Sequence, residues 1–132
     1  MLLAGDIGGT KTVLAVFSAE NGPNHPLAER SYPSAQYDSL EQIISIFLAD
    51  LDLPVDSACF AIAGPIVAGR AKVTNLTWVV DSHNLKSTFG WADVRLLNDL
   101  EAVAYAITIL EPADIHTLNP GKPVEGGSIA VL

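Results

Sequence analysis

Asp6-Ile7-Gly8-Gly9-Thr10-Lys11-Thr12, set between the apolar runs Met1 to Ala4 and Val13 to Phe17, governs how the rest of this chain is read. It predicts a strand, a glycine turn and a second strand, with a carboxylate and several backbone amides converging on one point. Two adjacent glycines permit positive φ and close approach to a ligand, and successive N–H groups in such a turn make an anion-binding concavity. Asp6 would repel phosphate directly, but it can hold Mg²⁺, itself or through coordinated waters. The stretch therefore suits a magnesium nucleotide. An aspartate before Gly-Gly is also how an ordinary hairpin turns, so the stretch alone leaves both readings open.

Outward from this turn, Leu2 to Gly5, Lys11 to Ala19 and Leu27 to Pro33 read as three successive strands, with Asn21-Gly22-Pro23 marking the second reversal. Leu40, Ile43, Ile44, Phe47, Leu48 and Leu51 then recur at helical spacing, Ser39 and Gln42 fit a capping box, and Pro54 lies beyond the end. Ser57 to Ala63 has the apolar pattern of a strand buried on both faces, ending at Gly64-Pro65. Ala71 to Thr74 and Trp78 to Val80 are short extended pieces, and Asp81 or Ser82 opens a short helix ending near Gly90. Val94 to Leu97 is a strand and Leu100 to Leu110 a helix packed against a sheet. Asn119 to Gly127 is a loop, and Ser128 to Leu132 starts another strand. Three adjacent strands followed by alternating helix and strand predict an α/β layer with a mixed sheet.

The 132 residues are 49% hydrophobic and 17% charged, enough for one domain with a core and inconsistent with disorder. A formal net charge of −8 without a basic cluster argues against nucleic acid and anionic lipid as partners. So acidic a protein would bind phosphates through amides, helix N-termini and Mg²⁺. Cys59 is the only cysteine and reads as a small buried hydrophobe, in keeping with a reducing cytoplasm. No run approaches the ~18 apolar residues that span a bilayer.

Two further constellations carry chemistry. Asn98 and Asp99 end a buried strand, where open α/β sheets expose ligand sites, yet either could simply cap the following helix. Asn75-Leu76-Thr77-Trp78 sets an amide near an aromatic ring, a pairing suited to a sugar or to a turn with a core tryptophan. Gly121 to Ser128 has P-loop glycine spacing, but Gly127 stands where the lysine belongs. His25, His83 and His116 lack ligand spacing.

Taken together, Gly5 to Thr12, Ala61-Ile62-Ala63-Gly64-Pro65, Thr74-Asn75-Leu76-Thr77-Trp78 and Asn98-Asp99-Leu100-Glu101-Ala102-Val103-Ala104-Tyr105 resemble the N-terminal part of bacterial-type glucokinases, in the sugar kinase, actin and heat-shock chaperone superfamily. The resemblance implies a ribonuclease H-like (actin-like ATPase) α/β domain with a mixed central sheet flanked by helices. It implies residues 1–110 as the N-terminal domain and 111–132 as a linker and first strand of an incomplete second one. ATP phosphates would lie on Gly5, Asp6, Ile7, Gly8, Gly9 and Thr10, with Mg²⁺ at Asp6. Glucose would meet Asn98, Asp99 and, nearby, Asn75, and Asp99 would accept the proton of the glucose 6-hydroxyl as it attacks the γ-phosphate. The implied role is cytoplasmic glucose phosphorylation at the entry to glycolysis, with glucose and Mg-ATP as partners and a homodimer allowed. The family's further phosphate contacts and Glu-x-x-His sugar clamp belong to a second domain and are not in these residues, so the chain is expected to be inactive alone. Rival readings are a related hexose or N-acetylhexosamine kinase, a non-catalytic sugar sensor, or a nucleotide-binding module on the same fold.

Overall fold

The computed structural model describes residues 1–122 and 124–128. The strand predicted over Ser128 to Leu132 lies outside the described residues except for Ser128, which is in no regular element. Two compact units divide between Asp99 and Leu100. The first runs β1 (Leu2–Ile7), β2 (Lys11–Phe17), β3 (Ala28–Pro33), α1 (Leu40–Ala49), β4 (Ser57–Ile62), β5 (Ile66–Val67), β6 (Arg70–Lys72), β7 (Val79–Asp81), α2 (Ser82–Phe89) and β8 (Asp93–Asn98). The second holds most of α3 (Asp99–Ile107) and a 3₁₀ turn at Pro112–Asp114.

A five-stranded sheet has the order β3-β2-β1-β4-β8, and β5-β6-β7 form a small meander. β1 pairs antiparallel with β2 and parallel with β4, and β4 pairs parallel with β8. The links between the first three strands, residues 8–10 and 18–27, are too short for a parallel crossover, whereas β4 and β8 each follow an intervening helix and so can return parallel. The sheet is mixed as the sequence predicts.

Register sorts the side chains by face. Leu3, Ile7, Leu14, Val16, Ala58, Phe60, Ile62 and Leu96 lie on one side. They join Leu40, Ile43, Ile44 and Phe47 of α1 and Leu85 of α2 in one buried cluster. Ser57, Cys59 and Ala61 point to the other side and are only half-buried. β4 is therefore covered fully on one face, not on both, and Cys59 is half-buried where the sequence predicted burial.

The helix ends follow their chemistry. The Ser39 hydroxyl accepts the Gln42 amide at 3.3 Å, while the Gln42 side chain reaches one residue past the usual capping box to the Asp38 N–H at 2.9 Å. Asp81 caps α2 by accepting the His83 and Asn84 amides at 2.9 and 3.2 Å, and Gly90 closes it in the left-handed region at φ 69°. α3 contains no buried residue, where the sequence predicted a helix packed against a sheet.

The cap at Asp81 gives a pH-dependent stability. The Asn84 amide foremost, then the His83 amide and the Arg70 guanidinium at 3.2 Å, hold this carboxyl below the usual range against the opposing effect of desolvation. A depressed folded-state pKa contributes stability that is complete above the unfolded value, near 3.8, and is lost as pH falls through the lower folded value. Asp81→Asn keeps a capping oxygen without the charge. Its urea midpoint should lie below that of the parent at pH 6 and converge with it as the pH falls through the depressed folded-state value; a gap that persists undiminished in acid would mean that the charge contributes nothing.

Candidate active site

The carboxyl ends of β1, β4 and β8 lie side by side, and the last rung is Ile7, Ile62 and Asn98. At the usual strand spacing, Ile7 and Asn98 are about 10 Å apart. The Gly8–Thr10 turn rises from this edge because β2 runs back from it. Ligands of open α/β sheets bind beyond such carboxyl ends.

Gly8 and Gly9 are not in the left-handed region, contrary to the expectation of positive φ. What requires glycine is crowding. A Cβ on Gly9 would press inside van der Waals contact on the Thr74 carbonyl oxygen and lie 3.2 Å from the Asn75 Cβ. The turn is thus laid directly on the Thr74-Asn75 loop. The Gly8 N–H donates to the Lys11 carbonyl at 3.0 Å, and among the described residues the Gly9 and Thr10 N–H groups donate to no protein acceptor. Those two amides are what the turn offers to an anion.

Gly5 and Ile7 are both constrained by packing, the first because it has no side chain and the second through the one it has. A Cβ on Gly5 would lie 2.6 Å from Phe60 Cδ1 and 2.9 Å from Leu14 Cδ2, and the Ile7 side chain is buried in the core. The Ile7 carbonyl accepts the Ala63 N–H at 3.1 Å, tying the turn's first strand to the Ala63-Gly64-Pro65 loop. Asp6 sits one rung below the edge on the opposite face, exposed beside Val13 and Ala61.

That loop gathers the other motifs. The Ala63 carbonyl accepts both the Thr74 N–H at 3.0 Å and the Thr74 hydroxyl at 2.6 Å, and the Asn98 Nδ2 donates to the Gly64 carbonyl at 3.1 Å. Asn75 is exposed in the left-handed region at φ 64°, which asparagine tolerates. Trp78, however, is 4% exposed with its indole N–H on the Tyr37 carbonyl at 3.1 Å, so it is a core residue and not a platform for a sugar. Asp99 follows the last rung directly, half-buried at the start of α3. Asp6, Gly9, Asn75, Asn98 and Asp99 thus border one edge of the sheet.

Among the described residues no three His, Cys, Asp or Glu side chains gather as a metal cage. Mg²⁺ that travels with a nucleotide needs none, since it keeps several waters and takes one or two carboxylates with phosphate oxygens. The single exposed carboxylate of Asp6, one rung below the turn, fits that donor set.

One pairing at this site escaped the sequence, although Thr12 belongs to the turn stretch. Thr12 and Ser34 are the buried polar side chains of the described residues, both 0% exposed, and they bond to each other at 2.9 Å beneath the turn. Their separation by 22 positions hid them; only the pairing of β2 with β3 brings them together.

The glucokinase family model matches residues 3–132. The chain belongs to the glucokinase family. A glucokinase of Nostoc punctiforme is 42% identical over 134 residues, covering 100% of this chain and 39% of the relative. One from an Enterobacter species is 34% identical over 129 residues, covering 98% and 40%. The crystal structure of a glucokinase from an Antarctic psychrotroph superposes with a TM-score of 0.80 at 30% identity, over 94% of this chain and 40% of that one. A ROK family glucokinase from Streptomyces griseus, solved with glucose and AMPPNP, shares the fold at a TM-score of 0.57 and 22% identity, over 79% and 35%. This glucokinase-family chain spans about 40% of the length of the curated relatives it matches. The kinase architecture that its sequence motifs imply is thereby borne out, and no helix among the described residues is long and apolar enough to cross a membrane.

Proposed function

We propose that this chain supplies one wall of a glucose-phosphorylating cleft, with ATP as the phosphoryl donor. The observation that carries the proposal is the direct seating of the Gly8–Thr10 turn on Thr74-Asn75, at the same sheet edge where Asn98 ends β8 and Asp99 begins α3. An anion site and a polar site suited to hydroxyls then face a common space. In this reading residues 1–110 form the N-terminal domain and 111–132 lead into a second.

The amides of Gly9 and Thr10 bind nucleotide phosphate, and Asp6 takes the accompanying Mg²⁺, which neutralises phosphate charge. Asn75, Asn98 and Asp99 hold the sugar. Asn98 has its Nδ2 on the Gly64 carbonyl, which fixes its side chain against rotation. The Asp99 carboxylate accepts the proton of the 6-hydroxyl and orients that oxygen toward the γ-phosphate. Phosphoryl transfer passes through a loose transition state in most analyses, so orientation weighs at least as much as basicity.

Mg-ATP and glucose titrated separately into the 132-residue chain test this. Weak binding of each is expected, with little or no glucose 6-phosphate in a coupled assay, because such a cleft closes between two domains. Glucose binding without nucleotide binding would indicate a sugar sensor, and nucleotide binding alone an actin-like module. Robust product formation would show that one wall suffices.

A further inference from the structure

We infer that Ser34 is a positioning residue that aims the Gly9 amide at the bound phosphate; the inference rests on the nucleotide site proposed above. Ser34 directly follows β3, and its backbone and side chain grip the turn at two points. Its N–H donates to the Thr10 carbonyl at 3.0 Å, and its hydroxyl donates to the Gly8 carbonyl at 2.8 Å.

The consequence follows from peptide geometry. The Gly8 carbonyl and the Gly9 N–H belong to one planar trans unit and point in opposite directions. Drawing the carbonyl inward onto Ser34 turns the Gly9 N–H outward, away from the protein and toward the edge where the phosphate binds. Without that anchor, a Gly-Gly peptide has little steric resistance to rotating, and the carbonyl could face an anion in place of the amide.

Thr12 completes the device. Ser34 has a single hydroxyl proton, already given to Gly8, so in the 2.9 Å bond between the two hydroxyls Thr12 must be the donor. The result is a one-way relay from Thr12 Oγ1 to Ser34 Oγ to the Gly8 carbonyl. Both side chains are fully buried, where such chains reinforce each bond and where an unpartnered group is costly.

The test measures Mg-ATP affinity of the 132-residue chain by calorimetry, with the Gly9 amide followed by NMR and unfolding followed in urea. Ser34→Ala should weaken Mg-ATP at least about tenfold, the loss expected for one hydrogen bond to a charged group, and should shift or broaden the Gly9 amide signal while urea unfolding stays cooperative. Thr12→Ser, which keeps the donating hydroxyl, should behave like the parent, and Thr12→Val, which removes only the first hydroxyl, should show a smaller loss of about threefold. A merely structural role would lower the urea midpoint and leave the affinity of the folded chain alone. Parent-like Mg-ATP affinity in Ser34→Ala therefore overturns the inference and leaves the nucleotide site standing, whereas failure of the parent chain to bind Mg-ATP overturns both. Should Ser34→Ala not fold, Thr12→Val decides, and unchanged affinity there counts against the relay.

Discussion

Asp99→Asn should lower glucose phosphorylation by roughly 10²–10⁴-fold or more, the usual contribution of a positioned general base, while leaving the fold intact. The measurement needs a complete cleft. A chimera in which residues 1–132 replace the aligned segment of the Nostoc punctiforme glucokinase supplies one, since the alignment covers 100% of this chain at 42% identity. Asparagine matches aspartate in shape and is equally at home at a helix start, so a lost cap cannot account for a large fall. What it cannot do is accept the hydroxyl proton. If this carboxylate also aligns the attacking oxygen, as proposed above, the loss should appear in kcat more than in the KM for glucose. Near-normal turnover would reduce Asp99 to the residue that starts α3.

Gly9→Ala should separate the two halves of the site. The added methyl meets the Thr74 carbonyl, a backbone atom with little freedom, because Thr74 is tied to the Ala63 carbonyl by both its N–H and its hydroxyl. Overpacking of this kind costs about 1–3 kcal/mol, occasionally more, and relief requires the turn to lift from the loop. The unfolding free energy measured in urea should fall by that amount, and Mg-ATP binding should weaken more than the stability loss explains, since the lifted turn no longer presents the Gly9 and Thr10 amides together. An unchanged midpoint with unchanged affinity would show that turn and loop are not in fact pressed together.

The two changes probe different kinds of information in the chain. Asp99 was legible because a polar pair at the end of an apolar run is a local signal. The glycine turn was legible for a reason that proved incomplete: Gly8 and Gly9 suggested positive φ, but the constraint is the approach of Thr74, 65 positions away from Gly9 in the chain. Trp78 shows the same limit. Its closeness to Asn75 in sequence left a sugar platform and a core tryptophan both open, and the core claimed the ring, because burying a large aromatic with its N–H on the Tyr37 carbonyl satisfies both its apolar body and its donor.

The order and type of the elements were set by the chain itself, because hydrophobic period, caps at Ser39 and Asp81, and the glycine stop at Gly90 act over a few residues. So were the candidate carboxylates, Asp6 and Asp99. Tertiary structure alone decided which strand faces are covered, that Gly9 lies on Asn75, and that Thr12 and Ser34 meet beneath the turn. Those facts depend on sheet register and on contacts across 22 to 66 positions, distances over which no local preference can specify a partner until the strands have paired.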